Sequence, residues 1–104
     1  MKKYEVRVTA EALEQLRDRL AYLLFVKQSE QAYDAVLADY YETIDRLSDM
    51  AGTIRIPDEP ELVERDLKKM LFLHHDYVVL FRIEGDIVYV VKIFHTSEDY
   101  VRKL

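Results

Sequence analysis

Thiol and imidazole side chains, the commonest nucleophiles and transition-metal ligands, are scarce in this chain. There is no cysteine, which excludes disulfides, thiolate metal sites and a thiol nucleophile, and fits a reducing cytoplasm. Of three histidines, two stand together in His74-His75-Asp76, a run with ligand character. Neighbouring residues on a strand point to opposite faces, however, and no third ligand stands at suitable spacing. The run reads as a polar turn, with no metal and no cofactor expected. Asp58-Glu59, Glu61 and Glu64 gather carboxylates around Pro57 and Pro60 without the spacing of a calcium loop. Eight tyrosines offer stacking faces for bases, but Tyr33 and Tyr40 fall on a helical seam flanked by Tyr22 and Tyr41. Arg82 is one cation amid apolar neighbours on a strand face. It reads as a snorkelling residue or as the ion-pair partner of Glu84 or the acidic run. His95 closes the same stretch and reads as a strand-end capping or packing residue.

The elements that position these residues follow from periodicity. Tyr4, Val6 and Val8 alternate with Lys3, Glu5 and Arg7, a half-buried strand. Thr9 then offers an N-cap, with Glu11 in the first turn favouring the helix dipole. Leu13, Leu16, Leu20 and Leu23 or Leu24 set a first helix from about Ala10 to Val26. Ser29 is the next cap. Tyr33, Leu37, Tyr40, Ile44 and Leu47 recur at steps of four and three, so a second helix runs roughly from Glu30 to Asp49, with Gly52 as its C-cap. So short a connection makes the two helices an antiparallel hairpin. Residues 50–64 form an acidic surface loop, broken by its prolines, with a helical turn at Glu61 to Arg65.

A strand over Leu67 to Phe72 and a hairpin complete the sheet. Tyr77 to Ile83 and Ile87 to His95 are rich in β-branched and aromatic residues, and Glu84-Gly85-Asp86 separates them. A two-residue turn at Gly85-Asp86 pairs Ile83 with Val88, Phe81 with Val90 and Val79 with Lys92. On the other face it pairs Arg82 with Tyr89, Leu80 with Val91 and Val78 with Ile93. Both faces are apolar, so one packs on helices and the other needs a partial cover. Thr96 caps a short C-terminal helix with Asp99 at capping-box distance. The fold class is α+β: an N-terminal strand, an antiparallel helical hairpin, a three-stranded antiparallel sheet segment and a short C-terminal helix. The position of the first strand in the sheet stays open.

The length of 104 residues suits one domain, residues 1–104, with one modest core. Net charge of −5 weakens any broad electrostatic binding of nucleic acid. The N-terminus lacks the apolar core of a signal peptide and no run reaches transmembrane length, so a cytoplasmic protein with no membrane partner is expected.

The order of these elements, with Tyr4-Glu5-Val6-Arg7-Val8-Thr9, Ala12, Leu16, Leu67-Lys68-Lys69-Met70, the hairpin from Tyr77 to Val88, Ile93-Phe94-His95 and Asp99-Tyr100, resembles the RelE/ParE superfamily of toxins. These belong to type II toxin–antitoxin modules. The resemblance covers nearly the whole chain, and the acidic loop is its least typical part. It implies a toxin neutralised by a small cognate antitoxin that wraps around it. RelE-like members enter the ribosomal A site and cut messenger RNA without a metal. ParE-like members inhibit DNA gyrase.

RelE-type cleavage needs a base for the ribose 2′-hydroxyl, an acid for the leaving oxygen and cations on the phosphorane. By resemblance the candidates are Lys69, Arg82, His95 and Tyr100, with Lys68 and Tyr89 beside them. Two departures weigh against that chemistry. Val78, not an arginine, follows Tyr77, and Thr96-Ser97-Glu98 replaces a basic cluster after the last strand. Each missing cation removes several kcal/mol of transition-state stabilisation in a dry site. The long helical hairpin is also more similar to ParE. The expectation is a non-enzymatic toxin binding a protein such as gyrase. The alternatives are a ribosome-dependent endoribonuclease and a non-toxic relative acting as an interaction module. Antitoxin-binding surface left bare in the purified chain would favour a homo-oligomer.

Overall fold

The computed structural model describes residues 3–104. The first strand, β1 (Glu5–Val8), exposes Glu5 and Arg7 and turns Val6 and Val8 toward the core. The Thr9 hydroxyl accepts the Ala12 N–H and caps α1 (Ala10–Ala21), which buries Ala12, Leu16 and Leu20. The helix continues through one π-helical turn, Tyr22–Val26, so it ends where expected but with a wider last turn. Gln28 then takes φ +52° and the Ser29 N–H reaches back to the Leu23 carbonyl, a Schellman-type close. The Ser29 hydroxyl caps α2 (Glu30–Met50) at the Ala32 N–H.

In α2 the fully buried line is Val36, Tyr40, Thr43 and Leu47, with Asp39 beside it. Tyr33, Leu37 and Ile44 pack at its flank. The seam is thus rotated by part of a turn from the one read in the sequence, because α2 packs on the sheet as well as on α1. Gly52 is not a C-cap. It lies inside a 3-10 turn, Ala51–Thr53, where a side chain would collide with the Tyr4 hydroxyl. The Tyr4 N–H donates to the Ser48 carbonyl (2.8 Å) and the Ser48 hydroxyl to the Tyr4 carbonyl (3.0 Å), fastening the chain's start to the end of α2. Pro60 opens the short α3 (Pro60–Glu64), whose Leu62 is fully buried.

The remaining strands are β2 (Lys68–Leu71), β3 (Tyr77–Glu84) and β4 (Ile87–His95). The sheet has four strands in the order β1-β4-β3-β2, with β1 parallel to β4 and the other pairs antiparallel. Gly85 supplies the left-handed position of the hairpin turn at φ +61°.

The hairpin register is as read from the sequence from the turn to Phe81–Val90 and then slips. Leu80 pairs with Lys92, Val79 with Ile93 and Val78 with Phe94. Val91 is the extra residue of a β-bulge, and its carbonyl accepts the Thr9 hydroxyl at 3.4 Å while the Val90 carbonyl accepts the Thr9 N–H at 3.0 Å. The expected pairs Val79–Lys92, Leu80–Val91 and Val78–Ile93 are therefore displaced by one residue. One face of the sheet, with Val79, Phe81, Val88, Val90 and Ile93, packs on the helices. The other carries Val78, Leu80 and Phe94 and is covered by Leu62, Leu67, Tyr100 and Leu104.

The expected C-terminal helix is shorter than read. Thr96 caps nothing, because residues 95–98 form a turn in which the Glu98 N–H bonds to the His95 carbonyl and the Glu98 carboxylate to the His95 N–H. A 3-10 turn follows at Tyr100–Lys103.

Candidate functional site

Strand alternation sends Lys68 and Lys69 to opposite faces. Lys68 Nζ donates to the Ile54 carbonyl at 2.7 Å, an anchoring contact for the preceding loop. Lys69 lies opposite Leu80 on the face away from the helices, and its Nζ donates to Glu59 Oε2 at 2.7 Å. The Tyr100 hydroxyl donates to the same oxygen at 3.3 Å, with its ring stacked on Phe94 at 5.8 Å. Two of the four candidates are thus brought together, and the residue that joins them is one that sequence reasoning missed. Its local signal was Pro57-x-x-Pro60. Pro57 is buried and Pro60 starts α3, so Glu59 is held between two fixed points.

The electrostatics of this trio are those of a settled ion pair. The Lys69 ammonium holds the Glu59 carboxyl below the usual glutamate range against the opposing effect of burial. Glu59 in turn pushes the Lys69 pKa up. Burial pushes the Tyr100 phenol up, which suits it poorly to act as a base.

The other two candidates lie elsewhere. Arg82 is two positions along β3 from Leu80 and its Nε stands 3.7 Å from Glu84, the ion-paired reading of that residue. Tyr89 faces it across the hairpin. His95 turns toward the helix side of the sheet. Its ring meets Tyr77 edge-on at 5.1 Å and its Nδ1 is 2.6 Å from the Ser97 hydroxyl. It lines a cleft of about 370 Å³ with Gln15, Arg19, Tyr22 and Lys103, where Arg19 Nε donates to the Tyr77 hydroxyl at 3.3 Å. His95 therefore shares no site with Lys69 and Tyr100.

A second cluster was not legible in the sequence. Asp39 is 2% exposed and accepts the Leu73 N–H at 3.2 Å, the His74 N–H at 2.9 Å and His75 Nδ1 at 2.8 Å. Burial pushes this carboxyl up, but the His75 ring and the two amides together outweigh it and hold the pKa below the usual aspartate range. Glu42, one turn further along α2, comes within 3.5 Å of His74 Nε2. The polar turn at residues 74–76 is thus pinned to α2 by a buried carboxylate more than thirty residues away in sequence.

A family model described as the ParE toxin of the type II toxin-antitoxin system, parDE, matches residues 6–100. The chain belongs to the ParE toxin family. It is accordingly a type II toxin by family, on an α+β fold of the RelE/ParE superfamily. A solved structure described as the chromosomal ParDE TA system from P. aeruginosa is similar in fold to this ParE-family chain. The TM-score is 0.69 at 14% identity, covering 89% of this chain and 96% of that one. No curated protein matches the sequence. Among the described residues, no helix is long and apolar enough to cross a membrane.

Proposed function

We propose that this ParE-family chain is a toxin that acts by binding a protein target, with DNA gyrase as that target, and that a cognate antitoxin silences it. The observation that carries the non-enzymatic half is the Lys69–Glu59 ion pair. A lysine that must stabilise a phosphorane is here neutralised by an internal carboxylate 2.7 Å away, and His95 faces the opposite side of the sheet. Gyrase as the target rests on family membership. The antitoxin reading is supported by the β2 edge of the sheet, where Leu71, and Leu73 just beyond it, are 58% and 48% exposed. An extended antitoxin segment adds there by strand pairing and covers these side chains. In the purified chain alone, the same surface self-associates.

Induction of the chain alone in a bacterial host, followed by pulse labelling with methionine and thymidine, tests the target. Early collapse of thymidine incorporation with translation continuing supports gyrase. Early collapse of methionine incorporation refutes it in favour of ribosome-linked mRNA cleavage. That second reading requires toxicity to vanish in Lys69→Ala and Tyr100→Phe. Arg82→Ala with His95→Ala leaves toxicity intact in the first reading.

A further inference from the structure

We propose that Asp39, Glu42 and His74 bind one divalent transition-metal ion of the Zn2+ class. The three residues come from two elements far apart in sequence. Asp39 and Glu42 share one face of α2 at a spacing of three, and the β2–β3 turn carries His74 over them. One ligand atom from each lies within 4.8 Å of the others. A tetrahedral site with bonds near 2.1 Å holds its ligand atoms roughly 3.4 Å apart. His74 Nε2 and Glu42 Oε2 already stand 3.5 Å apart, and both side chains are half exposed or more, free to close the remaining gap by rotamer adjustment.

The buried carboxylate has capacity left for an ion. A carboxylate offers about four lone-pair positions. On Asp39, Oδ2 accepts His74 N–H and His75 Nδ1, whereas Oδ1 accepts only the Leu73 N–H. One position on Oδ1 remains. The hydrogen bonds already made have the character of a metal site's outer shell, which fixes ligand orientation before the ion arrives. The same Asp39 that would ligate the ion also holds the backbone N–H of His74, so the turn delivers its imidazole without ordering a new loop.

The donor set selects the ion class. One imidazole nitrogen with two carboxylates suits Zn2+ and its neighbours in the first transition row. Mg2+ and Ca2+ prefer oxygen alone and more ligands, and would leave His74 unused. Water fills the fourth position. Once bound, the ion cross-links the β2–β3 turn to α2 beside the exposed Leu73 and Tyr41.

Chelator-treated full-length chain is titrated with ZnCl2 by calorimetry, with thermal unfolding followed in parallel. The expected result is one Zn2+ per chain. At a hundredfold excess over Kd the midpoint rises by about 10 °C, and millimolar MgCl2 does not reproduce the rise. Glu42→Gln and His74→Ala, both at exposed positions, keep the metal-free midpoint and weaken binding by about tenfold or more. His95→Ala binds as the unaltered chain does. Absence of Zn2+ binding overturns the proposal. So does binding that survives both Glu42→Gln and His74→Ala, or that disappears with His95→Ala.

Discussion

Replacing Asp39 by Ala removes one acceptor and strands three donors: the Leu73 and His74 amides and the His75 ring. A hydrogen bond to a charged group contributes about 1.5–3 kcal/mol net, so simple addition gives roughly 4.5–9 kcal/mol. Two effects reduce that sum. Leu73 and His74 are exposed, so their freed amides find water. The cost of keeping a carboxylate at 2% exposure also disappears with the charge. The expected loss is about 3 kcal/mol, a large share of the 5–15 kcal/mol typical of a domain this size. Urea unfolding of metal-free protein at neutral pH measures it, with the m-value unchanged. Native-state hydrogen exchange adds the location: protection is lost first at Leu73 and His74, not across β3 and β4. Asp39→Asn costs nearly as much, since its NH2 meets donors where an oxygen stood. A loss below about 1 kcal/mol in Asp39→Ala, well under one typical charged hydrogen bond, would refute the view that this carboxylate fastens the turn to α2.

Leu47 is fully buried, and Leu47→Ala costs about 3 kcal/mol or more in urea unfolding. Glu59→Gln lowers stability at neutral pH by about 1 kcal/mol after allowance for solvent. Because Lys69 depresses the Glu59 pKa, this contribution is present above the ordinary glutamate pKa and is lost as pH falls through the lower folded value. The unaltered chain and Glu59→Gln therefore converge in stability on the acid side, and a gap that persists in acid contradicts the pairing. Gly52→Ala displaces the Tyr4 ring, and the consequence appears as lost exchange protection of the Tyr4 amide bonded to Ser48.

Local pattern told most of the fold. The caps at Thr9 and Ser29, the leucine spacing of α1 and the Gly85 turn depend on residues within one or two turns of each other, and each appears as expected. What stayed hidden depends on distant partners. The parallel pairing of β1 with β4 joins residues some eighty positions apart. The bulge leaves no mark in a run where Val90 and Val91 are equally apolar and β-branched. In the candidate site, strand alternation placed Lys69 on one face, but nothing near Glu59 distinguished it from its acidic neighbours. Asp39 was hidden for the same reason. A single aspartate on a helix looks solvated until the turn that covers it is known. The histidine pair was visible, yet the carboxylates beside it lie on another element.

The bulge at Val91 has a consequence for comparing relatives of different length. Val90 and Ile93 serve the same core although three positions separate them, so β4 holds one residue more than its pairing with β3 requires. A relative lacking that residue keeps Val88 and Val90 on the helix side, and Ile93 and Phe94 on their own sides; it loses the carbonyl that receives the Thr9 hydroxyl and the partly buried Val91 side chain packed against the outer core. A gap opened at Val91 therefore preserves the register of both cores and costs the outer one a single flanking side chain. The same gap opened two residues earlier would exchange inward and outward positions at Val90 and Val91.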